Sequence, residues 1–377
     1  MTAPTRDIEP RILEILMEKR TRRTQGPYSP RTTQQVESAL LSLLGDEGGT
    51  ISDVRRMSGG ASKEQFIFAY DGPRGPERLV LRMDPLEGLI ETCRRREAQV
   101  LRAMSGIVPA PEVLYVDSDG SHLGLPGLVT SFVTGVAKPP QAAASVSGLR
   151  TSFDEQWRAR LAPQFMANLI AIHGVDIRRV DLPDFAMPDA HARQPALRQV
   201  DWWSQVWEDD LIDAIPIMAI AESWFRENLP SCDDPVLVHG DYRTGNYLFD
   251  PQDGQVTAVL DWELAHFGDF HEDLAWNLQP IFADSGEDGV DYVSSLMRRE
   301  DFLERYERQS GRIVNQKTIR FYDALNAWKC IIIDLSSCLT AARDGNNHQD
   351  ILLSWLATSA YINIDHMTEV LEEAMAV

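Results

Sequence analysis

The stretch His239-Gly240-Asp241-Tyr242-Arg243-Thr244-Gly245-Asn246, followed by Val259-Leu260-Asp261-Trp262, constrains this chain more than any other feature. It places a carboxylate (Asp241), a cation (Arg243) and a carboxamide (Asn246) in one short loop. A second carboxylate, Asp261, ends the apolar run that follows. Phosphoryl transfer from a nucleotide calls for such a set: a base for the acceptor hydroxyl, a positive charge on the moving group, and two hard oxygen ligands for Mg²⁺. His-Gly-Asp alone would be an ordinary turn, and Asp261 alone a helix cap or strand-end turn residue. The four groups together between two β-like runs are hard to obtain by accident.

The offsets fit the kinase catalytic loop H-R-D-x-x-x-x-N and its later D-F-G aspartate, with Gly240 in place of the middle Arg and Asp261-Trp262-Glu263 in place of D-F-G. H-G-D-x-x-x-x-N, then V-L-D-W-E, then Gly268-Asp269 resembles the aminoglycoside phosphotransferase and choline kinase family of small-molecule kinases. Val259 to Ala275 looks closest to the branch whose kinase domains are associated with acyl-CoA dehydrogenases. The resemblance runs from about Met57 into the late helices and is sharp over 239–275. It implies an α+β, two-lobed protein-kinase-like fold with a small antiparallel-sheet N-lobe and a larger, mainly helical C-lobe. The expected division is a helical extension over 1–50, a nucleotide-binding N-lobe over 51–134, and a C-lobe over 135–377 holding the catalytic loop, metal site and acceptor pocket.

The resemblance implies ATP and Mg²⁺ as cofactors. Asp241 would be the base, Arg243 the cation on the phosphoryl oxygens, and Asn246 and Asp261 the metal ligands. His239 would hold the loop through the backbone. Glu263 stays open between orienting Asp261, reaching a second metal ion and a structural role. Nothing resembling a D-F-G to A-P-E activation segment follows, which argues against a protein kinase.

Upstream, Val54 to Met57 and Gln65 to Tyr70 read as strands flanking Ser58-Gly59-Gly60-Ala61-Ser62, a turn whose backbone could lie over phosphates, with Gly59, Gly60 and Ser62 as candidate contacts. Arg82 follows on the next strand, and Glu97 sits on a helix expected over Glu91 to Met104. A kinase pairs Lys with Glu there; the Arg82–Glu97 pair either bridges to phosphate or is a surface salt bridge of little worth. Lys63 is a substitute cation. Leu125 to Gly135 reads as a buried strand and, by family likeness, as the hinge whose backbone at Thr130, Ser131, Phe132 and Val133 holds adenine.

Residues 1–150 carry 19 Lys+Arg against 18 Asp+Glu, whereas residues 151–377 carry 17 against 39 and all nine tryptophans. This asymmetry suits a cationic or sugar-like acceptor, although solubility and core filling explain it as well. Nucleic acid is disfavoured, since no basic stripe offsets the acidic part. Asp273 is open between bracing the loop and touching acceptor. Trp276, Trp328 and Asp334 are further acceptor candidates, with a buried internal pair as the alternative for Asp334. His173 reads chiefly as structural, and Trp202, Trp203 and Trp207 as a wall of a core or of a pocket.

No apolar run is long enough for a membrane span, and the N-terminus lacks the apolar core of a secretory signal. Four cysteines without CxxC spacing fit a reducing cytoplasm. Helices expected around Ile8–Leu16 and Val36–Leu44 either pack on the small lobe or support a homodimer. The expected activity is therefore phosphate transfer from ATP to a hydroxyl of a small molecule, either aminoglycoside-like or another hydroxylated metabolite. A hydroxyacyl or lipid-metabolite kinase and a catalytically impaired nucleotide-binding regulator are the alternatives.

Overall fold

The structure, a computed structural model, describes residues 6–45, 48–57, 62–90, 92–139, 149, 151–188, 191–286 and 289–375. Gly59 and Gly60 lie outside these residues, as does most of the 138–151 loop. Strands β1 (Thr50–Arg56), β2 (Glu64–Gly72), β3 (Gly75–Met83), β4 (Val113–Asp117) and β5 (Gly127–Ser131) form an antiparallel sheet in the order β1-β2-β3-β5-β4. Alternation decides its faces: Phe66, Phe68 and Tyr70 of β2 pack with Leu79, Leu81 and Met83 of β3. Helix α2 (Thr33–Leu44) adds Val36, Leu40 and Leu44 to that cluster. It starts with a capping box in which the Thr32 hydroxyl and the Gln35 side chain each accept the other residue's N–H.

Helix α1 (Pro10–Arg23) goes elsewhere. Its Ile12, Ile15 and Leu16 pack with Val200 and Trp203 of the large lobe. The two N-terminal helices thus cover different lobes, a division that two similar apolar stripes could not reveal. Helix α3 (Arg94–Met104) lies beneath the sheet with Ala98, Leu101 and Met104 inward, starting three residues later than expected.

The remainder is mainly helical: α4 (Glu155–His173), α5 (Gln194–Asp210), α6 (Pro216–Glu227), α7 (Phe270–Asn277), α8 (Arg299–Ser310), α9 (Gln316–Ile332), α10 (Leu339–Asp344), α11 (Asp350–Leu356) and α12 (Ala360–Met375). The helix expected over Ala324–Ala342 is interrupted by a π-helical stretch, Ile333–Cys338. There the Ser336 hydroxyl donates to the Ile332 carbonyl at 2.6 Å, competing with the regular ladder. No helix among the described residues is long and apolar enough to cross a membrane, and all four cysteines are free.

Candidate active site

Short strand β6 (Val236–Val238) delivers His239 to the cleft, and β7 (Tyr247–Phe249) with β8 (Val256–Val259) carries the chain on to Asp261. Gly240 has φ +84°, and a Cβ there would meet the Leu264 carbonyl oxygen at 2.7 Å, so only glycine fits the turn. Asp273, near the start of α7, accepts the His239 and Gly240 N–H groups at 2.7 and 2.9 Å. His173 adds a third contact at 3.0 Å. Burial works to raise the Asp273 carboxyl, but these donors hold it below its ordinary value. Asp273 is thus bonded to the loop and fully enclosed.

The other loop residues converge on Asp241. Asn246 donates Nδ2 to the Asp241 carbonyl at 2.8 Å and to its Oδ2 at 2.6 Å. Arg243 Nε donates to Asp241 Oδ1 at 2.8 Å, and Trp276 Nε1 reaches the same oxygen at 2.8 Å. Arg243 is thereby engaged with the carboxylate itself, and its guanidinium lies 4.9 Å above the Phe282 ring. Burial pushes the Asp241 carboxyl above its usual range; Arg243 opposes this and the Asp261 charge adds to it. His239 is kept neutral by burial, with Nε2 donating to the Leu260 carbonyl and Nδ1 accepting the Asp241 N–H.

Asp261 takes a left-handed backbone, φ 65° and ψ 53°, and its side chain is 33% exposed. Arg82 Nη2 donates to Asp261 Oδ1 at 2.9 Å and its other arm is bonded to Glu97. The Arg82–Glu97 pair is buried, with side-chain exposures of 15% and 1%, so the surface-bridge alternative does not apply. Glu97 also bonds Arg94, an arginine that sequence reasoning missed. Its only signal was its place three residues before Glu97.

Glu263 is the hub of this network. Arg94 donates to it at 3.0 Å, Ser62 at 3.1 Å and Thr92 at 3.3 Å, while Lys63 lies 3.8 Å away. Burial alone would raise its carboxyl, yet Lys63, Arg94 and Arg82 together hold it down at about 2. Asp84 balances the same cations, 3.1 Å from Arg94 and 3.4 Å from Lys63.

Asp241, Arg243, Asn246, Asp261, Glu263, Ser62, Lys63, Arg82 and Glu97 line one cavity of about 390 Å³. Its far end is built from Val80, Leu101, Leu248, Leu260 and the Thr130–Val133 segment. The Ser131 and Phe132 N–H groups are committed to the Glu112 and Arg78 carbonyls. Among the described residues, the Val133 N–H, next along the chain, makes no hydrogen bond.

Two acceptor candidates fall elsewhere. Trp328 is fully buried against Phe225 in the helical core. Asp334, on the π stretch, accepts hydrogen bonds from Ser359 and Asn363 at 3.0 and 3.3 Å, and burial pushes it up to about 7. Its partners are neutral, so the expected internal pair is not an ion pair. Trp276 does reach the site, but its polar edge serves Asp241.

Residues 53–320 match the family described as phosphotransferase enzymes. The chain belongs to that family. It is 29% identical over 246 residues to acyl-CoA dehydrogenase family member 10 of Mus musculus, covering 64% of this chain and 22% of the relative. The matched dehydrogenase relatives are much longer proteins, of which the chain spans between 22% and 38%. An aminoglycoside 3'-phosphotransferase of Streptomyces fradiae is 24% identical over 292 residues, covering 74% of this chain and 92% of that protein. A thermostable mutant of aminoglycoside phosphotransferase APH(4)-Ia, solved with ADP and hygromycin B, superposes with a TM-score of 0.56 at 18% identity, covering 88% of this chain and 98% of the other. That likeness carries the two-lobed kinase-like fold.

Proposed function

We propose that this chain is an ATP- and Mg²⁺-dependent O-phosphotransferase acting on a hydroxyl of a small molecule. The observation that carries the reading is the convergence of Asp241, Asn246, Asp261 and the Arg82–Glu97 pair on one cavity. A nucleotide fits with its base against the Val133 N–H and the apolar end, and its phosphates toward Arg82 and Ser62. Mg²⁺ suits the donor set, because it binds through one or two side-chain oxygens, phosphates and retained water. Asn246 spends its Nδ2 on Asp241, which turns Oδ1 to the metal; Asp261 supplies the carboxylate. The metal, when bound, neutralises phosphate charge.

Asp241 accepts the acceptor's hydrogen bond and, late in transfer, its proton. Asn246, Arg243 and Trp276 fix its orientation, which is where positioning enters the rate. Arg243 is occupied in holding Asp241 and Arg82 in holding Asp261 and Glu97, so both guanidiniums act first by positioning carboxylates.

The acceptor is aminoglycoside-like or another hydroxylated metabolite. Similarity to acyl-CoA dehydrogenase family members favours a hydroxyacyl compound, while the acidic balance of residues 151–377 favours a cation. Engagement of Asp261 by Arg82 favours a third reading, a nucleotide-binding regulator with impaired catalysis. Labelled-phosphate transfer from ATP across aminoglycosides, sugars, amino alcohols and hydroxyacyl compounds tests all three. Transfer to one class by the wild type and none by Asp241→Ala supports the enzyme. Nucleotide binding without any Asp241-dependent turnover supports the regulator.

A further inference from the structure

Helix α1 lies outside the span that matches the family, yet it and the residues flanking it reach α3, the β3–α3 connection and the start of β2. Its apolar stripe is anchored to the large lobe. Lys19 strengthens that anchor with a buried ion pair to Asp210 of α5 at 2.6 Å. From this base its charged residues reach the small lobe.

Glu9, the residue before α1, pairs with Arg96 of α3 at 2.9 Å, both side chains being buried. Arg96 also bonds the Ala265 carbonyl at 3.3 Å and lies 3.8 Å over the Phe185 ring, so α3 is held between α1 and the large lobe. Arg23, at the other end, bridges Glu87 at 2.8 Å and Asp210 at 2.5 Å, joining the β3–α3 connection to α5. Beyond α1, Tyr28 donates its hydroxyl to Glu64 at 2.6 Å, next to Lys63 at the root of β2. The three small-lobe attachments therefore flank Glu97, Arg82 and Lys63.

We infer that residues 9–28 form a strap in cis which sets α3, and with it the Arg82–Glu97 pair, for the nucleotide's phosphates. Glu9 and Arg23 are its positioning residues; neither lines the cavity. The inference rests on the nucleotide reading above and adds a requirement that the matched family span does not contain. Such a strap acts on the phosphate end of the site and not on the hinge that meets adenine.

The test uses the full chain as wild type, Glu9→Gln and Arg23→Met, with ATP and adenosine binding measured by calorimetry and amide exchange followed over 94–104. Either variant should weaken ATP about tenfold, the loss of one charge-assisted hydrogen bond, leave adenosine within about twofold, and speed exchange in α3. Equal weakening of ATP and adenosine, or ATP affinity unchanged in both variants, overturns the strap. If the wild type binds neither ligand, the nucleotide reading fails by itself. The strap's role toward phosphates then falls with it, and exchange in α3 tells only whether residues 9–28 hold that helix.

Discussion

The two charged clusters that line the cavity are satisfied by different means. Around Asp241 most partners come from the loop itself: the Asn246 amide and the Arg243 guanidinium on Asp241, with the loop's His239 and Gly240 N–H groups held by Asp273. At the phosphate end the partners are guanidinium and ammonium groups from distant segments, Arg82 on Asp261 and Lys63 and Arg94 about Glu263. A local loop can lose one chemical group and keep its shape. A non-local ion network that loses one carboxylate strands several buried cations. Chemistry and stability should therefore separate between the two clusters.

The largest separation is expected from Asp241→Ala. Its kcat should fall about 10³-fold, as for loss of a positioned general base, with ATP affinity nearly unchanged. Steady-state kinetics beside nucleotide titration checks this, and parallel losses of both would break the contrast. Glu263→Gln should do the reverse and cost about 3 kcal/mol of unfolding free energy, because Lys63, Arg94 and Arg82 lose their shared counter-charge. Urea unfolding measures it; a stable variant would mean the network is not the brace described.

Asp334 offers a control, a buried carboxylate with neutral donors only. Its folded-state value of about 7 lies above the 3.8 of the free group. The unfolded chain thus releases this proton first, and stability falls as pH rises from about 4 to 7. Asp334→Asn should remove that slope and gain on the order of 2 kcal/mol over wild type at the top of the window. Equal slopes in the two proteins would deny the shift. The smallest effect belongs to Trp276→Phe, which deletes one donor to Asp241. It should lower kcat about tenfold with KM and Tm little changed.

Legibility in the sequence followed the same division. Asp241, Arg243, Asn246 and Asp261 were readable because a turn with fixed offsets brings them together, and the Gly240 turn can be built one way. Arg82 and Glu97 were found through their places on a strand and the next helix. The role of Glu263 stays open between three readings in the sequence, since its partners Ser62, Lys63 and Arg94 come from segments about 170 to 200 residues away, a distance no local pattern spans. Trp328 reads as an acceptor contact, and Asp334 stays open between acceptor and an internal pair, because apolar neighbours on one helix do not reveal whether that face meets a pocket or another helix. The strap was invisible for a similar reason. The α1 and α2 stripes look alike, and the charges that distinguish α1 find partners only in the folded chain.

The central claim is that Asn246 and Asp261 share a divalent ion with a nucleotide in the cavity that Asp241 faces. Mn²⁺ binding followed by electron paramagnetic resonance, with and without ADP, tests it most directly. Mn²⁺ should bind the wild type tightly only together with ADP, and Asp261→Ala should lose that joint binding. Undiminished joint binding of Mn²⁺ and ADP by Asp261→Ala would contradict the account.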